Sequence, residues 1–301
     1  MDFNTCYGKF VSEVEKYLKE YMVELSENNT KCYEKTIYDA MSYSLMAGGK
    51  RLRPVLALAV CDMLEGRAEE VMPYACAIEM IHTYSLIHDD LPAMDNDDYR
   101  RGRLTNHKVY GEAIAILAGD ALLNYAYELM LTRTLKNSDN LHGKVKAMEI
   151  IASAAGASGM IAGQVVDLES EEKKISSDVL EYMHKRKTGA LIKAPILAAA
   201  ALCNANDTYT KALEVYGEKI GLAFQIKDDI LDVEGDFESL GKAIGSDEAN
   251  EKSTFVTLYG LEESREMLNK ITKEAIESIE IFGERGQLLK QLAEYLVNRN
   301  N

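Results

Sequence analysis

Almost the whole of this 301-residue chain repeats its apolar residues at helical spacing. Nowhere do apolar and polar residues alternate strictly enough to make a strand. No Asn-Gly or Asp-Gly pair joins two β-branched runs, so no tight hairpin is expected. Only four prolines occur, while Ala, Leu, Glu, Lys and Met, which lose little on entering a helix, are plentiful. The spacing predicts helices near residues 5–27, 33–47, 54–64, 69–91, 108–134, 142–168, 176–203, 207–234, 253–282 and 286–298. Breaks are expected at Gly48-Gly49 and from Gly235 to Asn250. No Ser/Gly/Pro-rich linker divides the chain, and joints such as 136–142 and 169–177 are short and polar, as between neighbouring antiparallel helices. The expectation is one all-α domain over residues 1–301.

The formal charge of −15 argues against a nucleic-acid binder, which would show a basic face. An anionic substrate is not excluded, but its site must be made locally, from clustered Lys and Arg or from metal ions. Cys6, Cys32, Cys61, Cys76 and Cys203 are scattered, odd in number and form no CxxC pair, which suits a reduced, cytoplasmic protein. The N-terminus is charged from Asp2 onward, so no signal peptide is expected. The longest apolar run, Leu191 to Cys203, is interrupted by Lys193 and Pro195. It is too short to span a bilayer, and no stable membrane insertion is expected.

Two acidic stretches stand out. The segment His82 to Arg103 holds Asp89, Asp90, Asp95, Asp97 and Asp98, then Arg100, Arg101 and Arg103. Carboxylates crowded at a helix end repel one another, which is costly. A solvated acidic loop is the simple explanation, and a second acidic stretch downstream counts against it. Pro92 biases Leu91 away from helix, and a turn there lets Asp95 fold back toward Asp89. An EF-hand loop starting at Asp95 fails, because its fifth and sixth positions hold Tyr99 and Arg100. Downstream, Gln225, Asp228 and Asp232 are spaced i, i+3, i+7 on one helical face, with Asp229 about 100° round. Leu222, Ile226, Ile230 and Val233 form the opposite, apolar face. Hard oxygen donors of this kind suit Mg²⁺, which binds one or two carboxylates and completes its shell with phosphate oxygens and water. The alternative is a solvated acidic face.

Three basic clusters could meet phosphate: Lys50, Arg51 and Arg53 in GGKRLRP; Arg100, Arg101 and Arg103; and Lys185, Arg186 and Lys187 in HKRKTG. The first two adjoin glycine, where backbone can approach a ligand closely. Each alone also reads as solvated surface. The segment Gly235 to Ala243 fails as a P-loop on spacing and on Ala243, and no GxGxxG is present. His82 and His88 could be ligands or ordinary helical histidines.

In order, GGKRLRP, DDLPAMD followed by RR, KTG, FQIKDDILD, GKAIGSD and Lys252 resemble the short-chain trans-prenyl diphosphate synthases, and among them the bacterial farnesyl diphosphate synthases. The likeness runs from about Tyr38 to Val256. It implies an all-α antiparallel bundle of the isoprenoid synthase type around a deep central cavity, with the two Asp-rich motifs facing each other at its mouth. It further implies a homodimer, Mg²⁺ as cofactor (three ions per site), and condensation of isopentenyl diphosphate with dimethylallyl or geranyl diphosphate. Carried over by position, Asp89, Asp90, Asp95 and Asp228 would hold Mg²⁺ on the allylic diphosphate, and Asp229 and Asp232 would complete the second motif. Arg100, Lys187, Lys242 and, from a lid after Gly235, Lys252 would contact the allylic diphosphate. Thr188 and Gln225 would place oxygens near the developing carbocation. Gly49, Lys50, Arg53, His82 and Arg101 would form the isopentenyl diphosphate site.

Tyr84 lies five residues before Asp89, about 7.5 Å deeper along the helix and about 140° round, so geometry alone does not aim it at a cavity. By resemblance, an aromatic there, with Ser85 next and two extra residues in DDLPAMD, is the mark of enzymes that stop at fifteen carbons. A geranylgeranyl diphosphate synthase is the alternative within the class. A helical metal phosphohydrolase, suggested by His88-Asp89, and a non-catalytic regulatory subunit stand outside it. A terpene cyclase fits poorly, since DDILD stands where its Asn/Ser/Glu motif would be.

Overall fold

The computed structural model describes residues 2–27, 33–171, 173–234 and 253–299. The expected break at Gly235 to Asn250, with Lys242 and Lys252, lies outside the described residues. The fold is all-α, as the periodicity requires. The chain packs as two compact units, Met1–Leu58 with Ala68–Leu141, and Ala59–Arg67 with His142–Asn301.

The first unit holds α1 (Phe3–Glu27), α2 (Lys35–Leu45), the start of α3 (Leu52–Met63), α4 (Ala68–Asp89), α5 (Asn106–Tyr110) and α6 (Glu112–Lys136). Every residue of α4 from Val71 to Ile81 is buried, the mark of a core helix. Its main partner is α6, which turns Ala115, Ala118, Gly119, Leu122 and Ala126 inward on one face. The alanines and the glycine among them let the two helices approach closely. At Gly119 a β-carbon would fall 2.2 Å from Nε2 of His88, so a side chain there would require the imidazole to move. Buried hydroxyls in this core are partnered: Tyr74 Oη with Thr134 Oγ1 at 2.6 Å, and Tyr125 Oη donating to the Tyr21 carbonyl at 2.7 Å.

By length and composition α6 could cross a membrane, as could Leu141–Ser170. In the fold α6 is the core partner of α4, and Leu141–Ser170 is broken at Gly156–Gly159. The outer side of α6 nonetheless leaves Ile116, Leu117, Leu131 and Leu135 exposed.

The second unit holds α7 (Leu141–Ala155), α8 (Met160–Ser170), α9 (Ser177–His184), a π-helical turn (Lys185–Gly189), α10 (Ala190–Leu202) and α11 (Asp207–Glu234). It continues with α12 (Phe255–Tyr259), α13 (Leu261–Ser278), a 3₁₀ turn (Glu280–Gly286) and α14 (Gln287–Asn298). Helix α11 is its spine, with Leu213, Tyr216, Ile220, Ala223, Ile226 and Ile230 buried at helical spacing. Its C-terminal half joins Leu180, Met183, Phe255, Leu268 and Ile271 in one apolar cluster. Val233, expected on this inward face, is instead 53% exposed, because the cluster ends one turn earlier at Ile230.

Several expected helices are divided. Helix α5 is separated from α6 at Gly111 (φ 83°), and α12 from α13 at Gly260 (φ 83°). The π-helical turn separates α9 from α10. A short antiparallel ladder, β1 (Tyr99–Arg100) with β2 (Arg103–Leu104), was not expected. Its two loop residues, Arg101 (φ 53°) and Gly102 (φ 72°), both have positive φ, as the twist of a two-residue hairpin demands. Arginine at the first of these positions carries no turn signal, which is why the pattern was silent.

Candidate active site

In the first unit the aspartate-rich turn is assembled by backbone. Helix α4 ends at Asp89, the chain reverses at Leu91-Pro92, and the Asp95 N–H donates to the Asp89 carbonyl at 2.9 Å. Asp95 therefore folds back toward Asp89 as the proline implied. Asp90 is buried and held in a fork: Arg100 Nε donates to both its oxygens at 2.7 and 2.9 Å, and Nη2 lies 2.6 Å from Oδ1. Arg100 also reaches Asp97 at 3.5 Å. The hairpin thus returns Arg100 to the helix end that carries the acids.

The next residue, Arg101, hydrogen-bonds to the Gly48 carbonyl. A β-carbon on Gly49 (φ 124°) would fall 2.8 Å from its Cζ, so Gly49 is needed for this approach. His82 stands one helical turn after Glu79 on α4. Burial and then the guanidiniums of Arg53, Arg101, Arg100 and Arg51 push its pKa well below the usual 6.5, so the ring is neutral. The structure therefore gathers Gly49, Arg53, His82 and Arg101 at one centre, with Lys50 beside them in the chain. Arg51 serves a different purpose. It is 2% exposed and engaged by Glu15 (2.6 Å), Glu79 (2.7 Å) and the Leu45 carbonyl (2.6 Å).

Tyr84 is buried and lies edge-on to His88, ring centroids 5.7 Å apart. Burial, with Tyr127, Asp89 and Asp120 adding, raises its phenol to about 12. Ser85 turns its hydroxyl back to the His82 carbonyl at 2.9 Å.

In the second unit the π-helical turn presents Lys187 and Thr188. Such turns insert an extra residue into a helix and frequently mark functional sites. At Gly163 of α8 a β-carbon would fall 2.1 Å from the Lys187 amide nitrogen, and at Gly221 of α11 it would fall 2.9 Å from the Gly189 Cα. Both helices thus press on the turn backbone directly. Lys187 Nζ meets Asp167 at 2.6 Å. Thr188 Oγ1 donates to Gln225 Oε1 at 3.0 Å, and Gln225 Nε2 donates to Asp229 Oδ1 at 2.9 Å. Asp229 is 2% exposed, and its other oxygen accepts the Phe255 N–H at 2.8 Å. The helical face expected for Asp229 is therefore turned inward, where it ties α12 to α11. Asp228 and Asp232 are half-buried. Arg299, following α14, pairs with Asp228, donates to the Phe224 carbonyl at 3.1 Å and lies 4.1 Å over the Phe224 ring.

Partly exposed carboxylates at Asp89, Asp95, Asp228 and Asp232 are hard donors of the kind Mg²⁺ takes one or two at a time. Among the described residues no three His, Cys, Asp or Glu side chains form a ready-made metal cluster. Each pair, Asp89 with Asp95 in the first unit and Asp228 with Asp232 in the second, suits an ion that completes its shell with water and phosphate oxygens.

The profile of the polyprenyl synthetase family matches residues 34–294. The chain belongs to that family. A farnesyl diphosphate synthase of Micrococcus luteus is 49% identical over 264 residues, covering 88% of this chain and 89% of its own. A geranylgeranyl diphosphate synthase of Cyanophora paradoxa is 48% identical over 266 residues, covering 88% of each. Among solved structures, an FPP/GFPP synthase of Zymomonas mobilis superposes with a TM-score of 0.86 at 33% identity, covering 98% of both chains. The protein is a trans-prenyl diphosphate synthase, a prenyltransferase acting on isoprenyl diphosphates, with the all-α isoprenoid synthase fold. In this polyprenyl synthetase, sequence reasoning missed Asp167, Arg299, Glu15 and Glu79. Asp167 lies one helical turn after Gly163, but only the structure shows that this face of α8 meets Lys187.

Proposed function

We propose that this polyprenyl synthetase condenses isopentenyl diphosphate with geranyl diphosphate, and with dimethylallyl diphosphate before it, to give farnesyl diphosphate in an Mg²⁺-dependent reaction. The observation that carries the reading is the first-unit centre: an aspartate-rich turn joined through the Asp90–Arg100 fork to guanidiniums gathered around a neutral His82. Carboxylates suit a metal-bound diphosphate, and clustered guanidiniums suit a second one.

Asp89, Asp90, Asp95, Asp228, Asp229 and Asp232 serve the metal-bound allylic diphosphate, Asp90 sharing its charge with Arg100 and Asp229 acting from its buried position. Bound magnesium supplies positive charge that stabilises diphosphate as it leaves. Arg100, Lys187, Lys242 and Lys252 add charge on that same leaving group. Gly49, Lys50, Arg53, His82 and Arg101 hold isopentenyl diphosphate. Thr188 and Gln225, fixed by their mutual hydrogen bond, line the developing allylic cation, and the released diphosphate takes the final proton. Tyr84 limits the product to fifteen carbons, with Ser85 beside it.

The whole chain acts as one domain, cytoplasmic and homodimeric. The exposed Ile116, Leu117, Leu131 and Leu135 of α6 support the dimer, and the scattered cysteines support the compartment. A twenty-carbon product is the second reading, favoured by the Cyanophora relative at nearly equal identity. Purified protein with Mg²⁺, labelled isopentenyl diphosphate and geranyl diphosphate should give mainly farnesyl diphosphate by chromatography. A twenty-carbon product would move the reading to geranylgeranyl diphosphate. No condensation by folded protein would move it to a regulatory subunit.

A further inference from the structure

The loop between α2 and α3 carries the cations assigned above to isopentenyl diphosphate, yet little in the loop holds its own shape. Three of its four residues from Gly48 to Arg51 have positive φ: Gly48 at 82°, Gly49 at 124° and Arg51 at 49°. No helical or strand ladder spans them. A backbone of this kind persists only where its surroundings over-determine it.

Much of that surrounding comes from α1. Tyr7 Oη donates to the Lys50 carbonyl at 2.5 Å. About two turns further along the helix, Glu15 Oε1 accepts from Arg51 Nε at 2.6 Å. Arg51 is the anchor between the two proposed ligand-binding cations, Lys50 and Arg53. Its guanidinium is drawn inward, so its neighbours are presented to either side of a fixed point. Helix α1 lies outside the residues matched by the family profile, yet it fixes one peptide group and one side chain of this loop.

We propose that Tyr7 and Glu15 are positioning residues for the isopentenyl diphosphate site, and that α1 is part of the recognition machinery for that substrate and not only of the core. The proposal rests on the assignment of Lys50 and Arg53 to isopentenyl diphosphate. A helix that merely stabilised the unit would affect all ligands alike. A helix that sets this loop affects one substrate.

The test uses full-length protein with Tyr7→Phe, which deletes a single oxygen, and Glu15→Gln, which keeps an acceptor but removes the charge. Calorimetric titration with isopentenyl diphosphate alone and, separately, with an unreactive geranyl thiolodiphosphate in Mg²⁺ gives the two affinities; steady-state kinetics give KM and kcat. The expected result is an isopentenyl diphosphate Kd and KM raised about five- to tenfold in each variant, the loss typical of one hydrogen bond, with geranyl analogue affinity within twofold of wild type. Unchanged isopentenyl diphosphate affinity in both variants would overturn the proposal. So would an equal weakening of both ligands. Wild-type protein that binds no isopentenyl diphosphate at all would overturn the functional assignment and, with it, the proposal.

Discussion

Gln225 shows how a single side chain can hold a site together. Its amide links Thr188 of the π-helical turn to the buried Asp229, which in turn caps the first N–H of α12. Gln225→Leu keeps the volume and removes both links, so Asp229 loses this donor while remaining buried. The expected loss is about 2–3 kcal/mol, read by urea unfolding, together with a fall in kcat. At Tyr84, truncation to alanine should move the product distribution beyond fifteen carbons, read by mass spectrometry of the dephosphorylated alcohols; an unchanged fifteen-carbon product would remove Tyr84 from the length-setting role. His82 yields a pH prediction. Its pKa is depressed in the folded chain by burial and the surrounding arginines, whereas in the unfolded chain it binds a proton near pH 6.5. The unfolded state therefore takes up more protons below that pH, and stability falls as pH drops through it. Thermal midpoints measured from pH 7.5 to 5.5 should decline, and decline less in His82→Gln. The aspartates and the arginines of this centre were legible because they stand in runs whose types announce their chemistry. Glu15, Asp167 and Arg299 were not, because each is an isolated charge in an ordinary helical or terminal stretch. Only folding brings it to Arg51, Lys187 or Asp228.

Among the helices, the π-helical turn is the element on which the second centre depends. It is squeezed between Gly163 of α8 and Gly221 of α11, and the atoms it meets are backbone, which cannot swing aside. Gly163→Ala should therefore push Lys187 out of place. The expectation is a stability loss of about 2 kcal/mol from overpacking, with affinity for an unreactive geranyl analogue falling more than tenfold. Circular dichroism melts and calorimetry read the two effects, and an alanine variant with wild-type affinity would count against this account. Helix content was readable throughout, since periodicity reports which face is buried. The interruptions were not. Gly111 and Gly260 end helices through a backbone angle that leaves no trace in apolar spacing, and one extra residue at 185–189 only rotates the pattern. The hairpin at Arg101-Gly102 was silent for the same reason, its turn being held by an arginine where glycine or asparagine is the usual signal.

For the whole molecule, the surface of α6 sets the expectation. Leu131 and Leu135 are one helical turn apart and exposed, Leu135 at 84%, a poor arrangement for a surface meant to stay in water. Glutamates at both positions, Leu131→Glu with Leu135→Glu, should convert the proposed dimer to a monomer in sedimentation velocity with little change in helicity. A wild-type chain already monomeric at micromolar concentration would remove α6 from that role. The net charge of −15 belongs to this scale too. It leaves room for a small anionic substrate, because the cations assigned to such a substrate are clustered locally and do not show in the total.

Two of the arginines at that centre, Arg51 and Arg101, sit at φ 49° and 53°, a region that costs a side-chain-bearing residue about 1–2 kcal/mol. The loop and the hairpin are therefore sprung: their shape is under tension, and the carboxylates and carbonyls that grip the guanidiniums act as latches. Releasing a latch would not leave a tidy gap beside an otherwise unmoved backbone. The chain would recoil to an ordinary conformation and carry its neighbouring cations away with it, so damage at a buried carboxylate such as Glu79 should be felt at Lys50 and Arg53, the cations proposed to hold isopentenyl diphosphate.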